Sequence, residues 1–486
     1  MDVQGQLDGP SGPLLIEGAS KLLIEGTSKL LIEGASTSND SSQRESASDD
    51  TPPTSVASST RPETVKLTVD GKEHTLKPRG AFDDFWRFTH ARHAAFVARA
   101  SGAAPPWSPD PVLATRGYCN VYRVLDRCSQ YLITHVIEPG SQEPDELVFR
   151  VLLFNAFHKI ETWELLCEHF APMPSFEDNW NEAKYNGVLS AAKSAGVKLY
   201  TGAFQKPSPR VLPLAHASHM ALIAAMMNGT PNITKVLQDC TSLAECFVYL
   251  QSYPGMGPFN TFQLIHDLSY TSVFNFHPGD LVIAGPGSMA GLELCFGKSV
   301  NRKTHEAAMR WMAETQAEHF ARLELDFAGL GPDKLPMEAL DIEHTLCEFS
   351  KYTRERPRGK GSWVPREGPP PTENLPKAWA HPDRKIPRIA PMPKAAEKQF
   401  IVDKIYEIDK IVERREKVNR GRKAVEYLVH WKGYGVKDRT WQPAKELLED
   451  APLAVKEFED AHKKKTPVKK TATKTTTSRS RSRTRR

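Results

Sequence analysis

Between Phe82 and about Tyr352, apolar side chains recur at three- and four-residue intervals. In LVFRVLLFNAFHKIETWELL, Leu147, Val151 and Phe154 fall on one stripe, and Leu152 and Asn155 widen it, which predicts a helix packed on several sides. HEAAMRWMAETQAEHFARL places Ala308, Trp311, Met312, Thr315 and Leu323 similarly. Alternating runs are scarce here, so residues 82–353 are expected to form a mainly α-helical domain. Further along the period changes. Ile405, Ile408, Ile411 and Val412 mark one strand-like run, Val425, Tyr427 and Val429 alternate in a second, and Thr440 and Trp441 sit in a short third. Pro452 opens a last helix whose apolar face is Leu453, Val455 and Phe458. A small α+β module over 404–463 follows: a three-stranded sheet closed by a C-terminal helix, with Trp441 in its core.

The remaining segments lack such patterns. Residues 1–64 carry an eight-residue repeat, LLIEGASK, LLIEGTSK, LLIEGAS, and then a Ser/Thr/Asp-rich stretch that buries too little to fold, so a disordered leader is expected. Residues 354–398 hold eleven bases, five acids and ten of the 37 prolines. Proline lacks the amide proton and disfavours helix before it, so this segment reads as an extended, semi-rigid basic linker. Residues 464–486 read as a basic disordered tail.

Charge sharpens this layout. The 64 bases and 59 acids give +5, yet residues 463–486 alone hold six Lys and five Arg with no acid, while Arg61 to Lys351 hold 26 bases and 32 acids. Lys463, Lys464, Lys465, Arg479, Arg481 and Arg483 are therefore candidate nucleic-acid contacts of the salt-sensitive kind, and the same clusters fit a nuclear import signal. No apolar run is long enough for a membrane helix, and no secretion signal is evident, so an intracellular protein without membrane contact is expected. The seven cysteines include no C-x-x-C pair, and His216 and His219 lack a matching ligand set. Neither a metal nor a cofactor is expected.

One local pattern points to DNA. Ser242-Leu243-Ala244-Glu245 reads as a capping box, then Tyr253-Pro254-Gly255-Met256-Gly257 makes a tight turn before FNTFQLIHDL. In such a helix-hairpin-helix, Gly255 and Gly257 permit close backbone approach and the second helix offers amides to a phosphate.

The 404–463 module closely resembles the chromodomain family through YLVHWKGY, TWQP, Tyr406 and the terminal helix. The resemblance implies a methyl-lysine cage from Tyr406, Trp431 and Tyr434, with Asp438 as the acid beside it, and a methylated histone tail as partner. Aromatic faces hold a trimethylammonium through their quadrupoles, worth on the order of 2 kcal/mol when desolvated. Gln442 replaces the glutamate usual in T-W-E-P, and Glu446 stands where an asparagine is frequent.

The helical domain is similar to helix-hairpin-helix DNA glycosylases in carrying an acid, Asp280, in a Gly/Pro-rich stretch after the hairpin. Phe259 stands where lyase-active members place lysine. More particularly, TRGYCNVYRVLDR, FRVLLFNAFHKIETWELL, YPGMGPFNTFQLIHDLSYT, AGPGSMAGLELCF and DIEHTLCEFSKY resemble the helical domain of hydroxymethyl-deoxyuridine DNA kinases and of alpha-glutamyl/putrescinyl-thymine pyrophosphorylases. That likeness implies a flipped pyrimidine acted on by polar groups among Asn120, Arg123, Asp126, Arg127, Asp280, Asp341, Glu343 and His344, with Asp280, Asp126 and Arg123 the catalytic candidates. No GxxxxGK[ST] phosphate cradle is present. The expected protein is nuclear and chromatin-bound, its reader module targeting a domain that recognises or modifies thymine-derived or oxidised pyrimidines, as a pyrophosphorylase-type transferase. A non-catalytic reader and scaffold, or a monofunctional glycosylase, are the alternatives. Nothing in the sequence fixes the oligomeric state.

Overall fold

The computed structural model describes residues 60–202, 208–355, 370–399, 408–419, 422–432, 435–436 and 439–463. Expectations for the rest of the leader, for Tyr406, Tyr434 and Asp438, and for the tail beyond Lys463 lie outside the described residues.

A hairpin opens the described chain. β1 (Val65–Val69) pairs antiparallel with β2 (Lys72–Leu76) through Asp70 and Gly71, at φ 49° and 70°. Two consecutive left-handed residues make the turn whose twist suits a hairpin, and Asp-Gly is a preferred sequence for it. The pattern reading placed no element here, although Asp-Gly between alternating runs is the available signal. Val65, Leu67 and Leu76 join the core of the helical domain.

That core is built by α1 (Gly80–Ala100), α2 (Pro144–Phe157), α3 (Ala215–Met227), α4 (Leu243–Leu250), α5 (Pro258–Leu268), α6 (Pro286–Phe296), α7 (His305–Glu314), α8 (Gln316–Arg322) and α9 (Ala339–Glu355), with further helices at Ile160–His169, Glu182–Ser194 and Ile233–Asp239 and shorter turns between them. Phe82, Phe85, Trp86, Thr89, His93 and Phe96 line the inner face of α1 at helical spacing. Fully burying Phe82 and Phe85 contributes about 1.5–3 kcal/mol each. α2 starts on Pro144 with Asp145 and Glu146 in its first turn, and everything from Glu146 to Phe157 is buried, as its broad apolar stripe predicts. The stripe through Ala308, Met312 and Thr315 crosses a break, because Thr315 separates α7 from α8. α6 packs on α9 through Gly287 and Gly291, whose missing side chains make room for Cys347 and the backbone of Leu346.

Residues 370–399 lie against the helical domain as a strap. Arg384, 3% exposed, donates to the carbonyls of Ser269, Thr271 and Phe274 just past α5, and Trp379 Nε1 reaches Ser269 O at 3.2 Å while its ring packs on Tyr270. Asn374 N donates to Gln130 Oε1 at 2.8 Å, and Lys398 and Gln399 donate to the carbonyls of Gln251 and Ser252. Prolines spare this segment amides that would need partners, and several of its remaining polar groups find them on the domain.

The C-terminal module has the expected form: β3 (Ile408–Asn419), β4 (Arg422–Trp431) and β5 (Thr440–Pro443) in the antiparallel order β3-β4-β5, then α10 (Ala444–Asp450) and α11 (Pro452–Lys463). Ile411, Tyr427, Val429, Leu447, Val455 and Phe458 form its core. Two expectations change. Leu453 is 73% exposed, so the apolar face that α11 buries rests on Val455 and Phe458, with Ala454 beside them. Trp441 pairs with Leu428, on the sheet face opposite Tyr427 and Val429, where Arg415 covers its ring at 4.0 Å. The pleat reverses sides at every residue, so Trp441 leaves the core for a cation–π contact.

Candidate functional site: a buried charge network

The loop 118–127 is held from three sides. Arg92 on α1 donates to Tyr118 O, Cys119 O and Asn120 Oδ1 at 2.8, 3.0 and 2.5 Å. Asn120 closes the loop on itself, its Nδ2 reaching Leu125 O at 2.6 Å and its amide reaching Asp126 Oδ1 at 2.7 Å. From α9, Asp341 Oδ1 accepts the Arg123 amide at 3.1 Å and Glu348 Oε2 accepts that of Cys119 at 3.2 Å.

This loop carries two charges inward. Arg123, 2% exposed, meets Asp267 of α5 at 3.4 Å, and Asn155 Nδ2 of α2 donates to the other Asp267 oxygen at 2.5 Å. Burial pulls the Arg123 guanidinium down, yet the charge of Asp267 together with those of its neighbours, Asp126 among them, outweighs it and holds it above its ordinary value. Asp126 Oδ2 stands 3.1 Å from His344 Nε2, and Cys119 completes a group whose ligating atoms all lie within 4.8 Å of one another. Burial opposes the Asp126 charge, but His344, the Asn120 amide and Arg123 hold its carboxyl below the usual range. His266, 1% exposed, is pushed well below its usual value by burial and by the charges of Arg123 and His344, so it is neutral.

The other candidates fall elsewhere. Asp280 accepts the His277 amide at 3.1 Å and the Arg388 amide of the strap, and burial raises its carboxyl. Glu338, raised to about 7 by burial and the Asp341 charge, and Asp341, raised to about 6 by burial, lie between Asp280 and the Arg123 loop. Glu343 accepts Gly285 N and Ser288 Oγ at the start of α6 and belongs to that helix end. Arg127 faces solvent. Sequence reasoning passed over Asp267, Asn155, His266 and Cys119. A polar residue inside an apolar helical run, as in FNAF and LIHDL, is the signal that would have found the first three.

The turn 251–257 joins α4 to α5. Ser242 caps α4 through the Glu245 amide, but the returning Glu245 carboxylate takes the amide of Thr241 rather than that of Ser242. Gly255, at φ 75°, packs its α-carbon against Pro209, and Gly257 precedes Pro258, the first residue of α5. Beside this turn lies a cavity of about 30 Å³ lined by Asn155, His219, Met226, Gly255, Asn260 and Leu264. Asn155 joins it to the Asp267 carboxylate. A space of that size holds about one water, whereas a benzene-sized ring needs on the order of 150 Å³. A wider surface groove of about 300 Å³, around Asp145, Asn232 and Lys235, carries none of the candidate residues.

The string nearest to a phosphate cradle, Gly291 to Gly297-Lys298-Ser299, has five residues between its glycines instead of four and runs through the end of α6 rather than a loop after a strand. In the C-terminal module Trp431, half-buried against the core, donates its Nε1 to Thr440 Oγ1 at 2.9 Å. Lys463 is the last residue of α11.

Comparison with known proteins matches the chromo (chromatin organisation modifier) domain to residues 406–461. The 5-hmdU DNA kinase of Bacillus phage SP10 is 24% identical over 293 residues, 56% of this chain and 45% of that relative. This chain thus spans less than half the length of that protein. No solved structure matches. The family described as the helical domain of 5-hmdU DNA kinase matches residues 79–361, more than half of the chain, and the protein belongs to that family.

Proposed function

We propose that this is a nuclear, chromatin-associated protein whose chromodomain binds a methylated histone tail and whose helical domain engages a thymine-derived or oxidised pyrimidine in DNA. One observation carries the enzymatic part: the network of Arg123, Asp126, Asp267 and His344 inside the family-matched domain. Buried charges stabilise a fold less well than apolar residues of similar volume, so such a network fits a working site better than a scaffold. Arg123 suits a phosphate or pyrophosphate, and Asp126 and Asp280 suit the polar substituent of the base and the group that replaces it. Without a phosphate cradle, transfer onto a preformed modified base is favoured over phosphorylation of one. Gly255 and Gly257 of the proposed helix-hairpin-helix, with Lys463, Lys464, Lys465, Arg479, Arg481 and Arg483, hold the DNA backbone.

The small cavity favours a second reading, a chromatin reader and scaffold without catalysis, because a flipped base enters only if the turn 251–257 moves. Binding of the full chain to duplexes containing hydroxymethyluracil or thymine separates the two. A preference on the order of tenfold for the modified duplex supports base recognition; equal affinity contradicts it. Retention on methylated, but not unmethylated, histone peptides tests the reader half.

A further inference from the structure

Cys119, Asp126 and His344 come from the start of the buried loop, its end and the middle of α9, yet their ligating atoms converge within 4.8 Å. His344 is 5% exposed, and its Nε2 lies 3.1 Å from Asp126 Oδ2 in an ion pair. A well-aimed charged hydrogen bond would be about 2.8 Å long. Two donors sharing a zinc-sized ion, each about 2.0–2.2 Å from it at tetrahedral angles, stand roughly 3.4 Å apart. At 3.1 Å the ion pair lies between those two spacings, close enough for both groups to turn onto one ion.

The surroundings support that point. Asp126 Oδ1 is occupied by the Asn120 amide, which leaves Oδ2 for a ligand. The Cys119 amide is fixed by Glu348, and Arg92 holds the carbonyls of Tyr118 and Cys119. Arg123 is engaged by Asp267 rather than by Asp126. Such outer partners orient the ligands of a metal and raise its affinity.

We propose that Cys119, Asp126 and His344 bind one divalent transition ion, with zinc the best match to a thiolate, a carboxylate and an imidazole together. Both anionic ligands balance its charge, and three protein ligands leave a fourth position for water or substrate, as in catalytic rather than structural zinc sites. The sequence hides this site because its ligands share no short spacing. The inference does not depend on any reading of the base, since metal content is measured without DNA.

The test uses the untagged full chain purified from zinc-supplemented cells. Elemental analysis is expected to find about one zinc per chain, and cobalt substitution to give a thiolate-to-cobalt charge-transfer band. Cys119→Ser abolishes the band, and His344→Gln lowers zinc affinity by at least roughly 100-fold, with helical circular dichroism retained. If either variant fails to fold, alkylation mapped by mass spectrometry decides on the wild type: zinc protects Cys119 among the seven thiols. A folded wild type without zinc or a cobalt band, full stoichiometry in a folded double variant, or Cys119 alkylated equally with and without zinc overturns the proposal.

Discussion

Removing the Asp267 carboxylate takes away the counter-charge that faces Arg123 in the interior. The two side chains are 0% and 3% exposed and 3.4 Å apart, and Asp267 also accepts the Asn155 amide. Breaking a buried pair from one side costs about 3–5 kcal/mol, and an amide that loses its acceptor adds about 1–3 kcal/mol. Asp267→Ala is therefore expected to lose on the order of 5 kcal/mol, which for a domain of this size lowers Tm by roughly 10 °C or more. Urea unfolding followed by the fluorescence of the buried Trp86 and Trp163 measures it. The paired replacement Arg123→Met with Asp267→Leu removes both charges and should recover at least half of the loss, because apolar groups of similar volume fill the space without desolvating ions. A cost for Asp267→Ala below about 1 kcal/mol, the range of exposed ion pairs, would refute the buried network.

Three further outcomes follow from the same geometry. Glu338, raised to about 7 among Asp341, Asp280, Arg310 and His277, keeps a proton in the folded state that the unfolded chain releases near its ordinary value, so its contribution to stability falls as pH rises between those values. Glu338→Gln should flatten the pH dependence of Tm between pH 5 and 8 and raise Tm at pH 8; an unchanged slope contradicts the assignment. Arg384→Ala leaves the carbonyls of Thr271 and Phe274 without this donor, and that of Ser269 with Trp379 alone, and should speed proteolytic cleavage within 370–399 by more than about tenfold while the helical core keeps its Tm; equal cleavage rates would show that the strap is held elsewhere. Trp431→Ala should weaken methyl-lysine peptide binding by at least roughly tenfold in calorimetry, whereas unchanged affinity removes Trp431 from the proposed cage.

The helical and β periodicities were legible because each rests on local spacing: the stripe of α2 and the alternation of Tyr427 and Val429 recur in the structure as buried faces. What was not legible depends on contacts distant in sequence. Arg123 and Asp126 stood out in one short string, but their partners Asp267 and His344, and the Asn155 that also binds Asp267, lie on other helices, and no local rule pairs them. The docking of the proline-rich segment was not legible for a related reason. Proline content reports backbone stiffness, whereas docking depends on Arg384 finding three carbonyls at the end of α5. Trp441 left the core because its strand register places it opposite Leu428, which composition does not reveal.

The most direct test of the proposed function is to incubate the full chain with duplex DNA containing hydroxymethyluracil, or its phosphorylated form with polyamine or amino-acid donors, and to digest the DNA for nucleoside mass spectrometry. A nucleoside carrying the amine donor in place of the departed phosphate is expected from the phosphorylated base, absent with Asp126→Asn. Unchanged nucleosides on every substrate, from a protein that still binds methylated histone peptide, would contradict it.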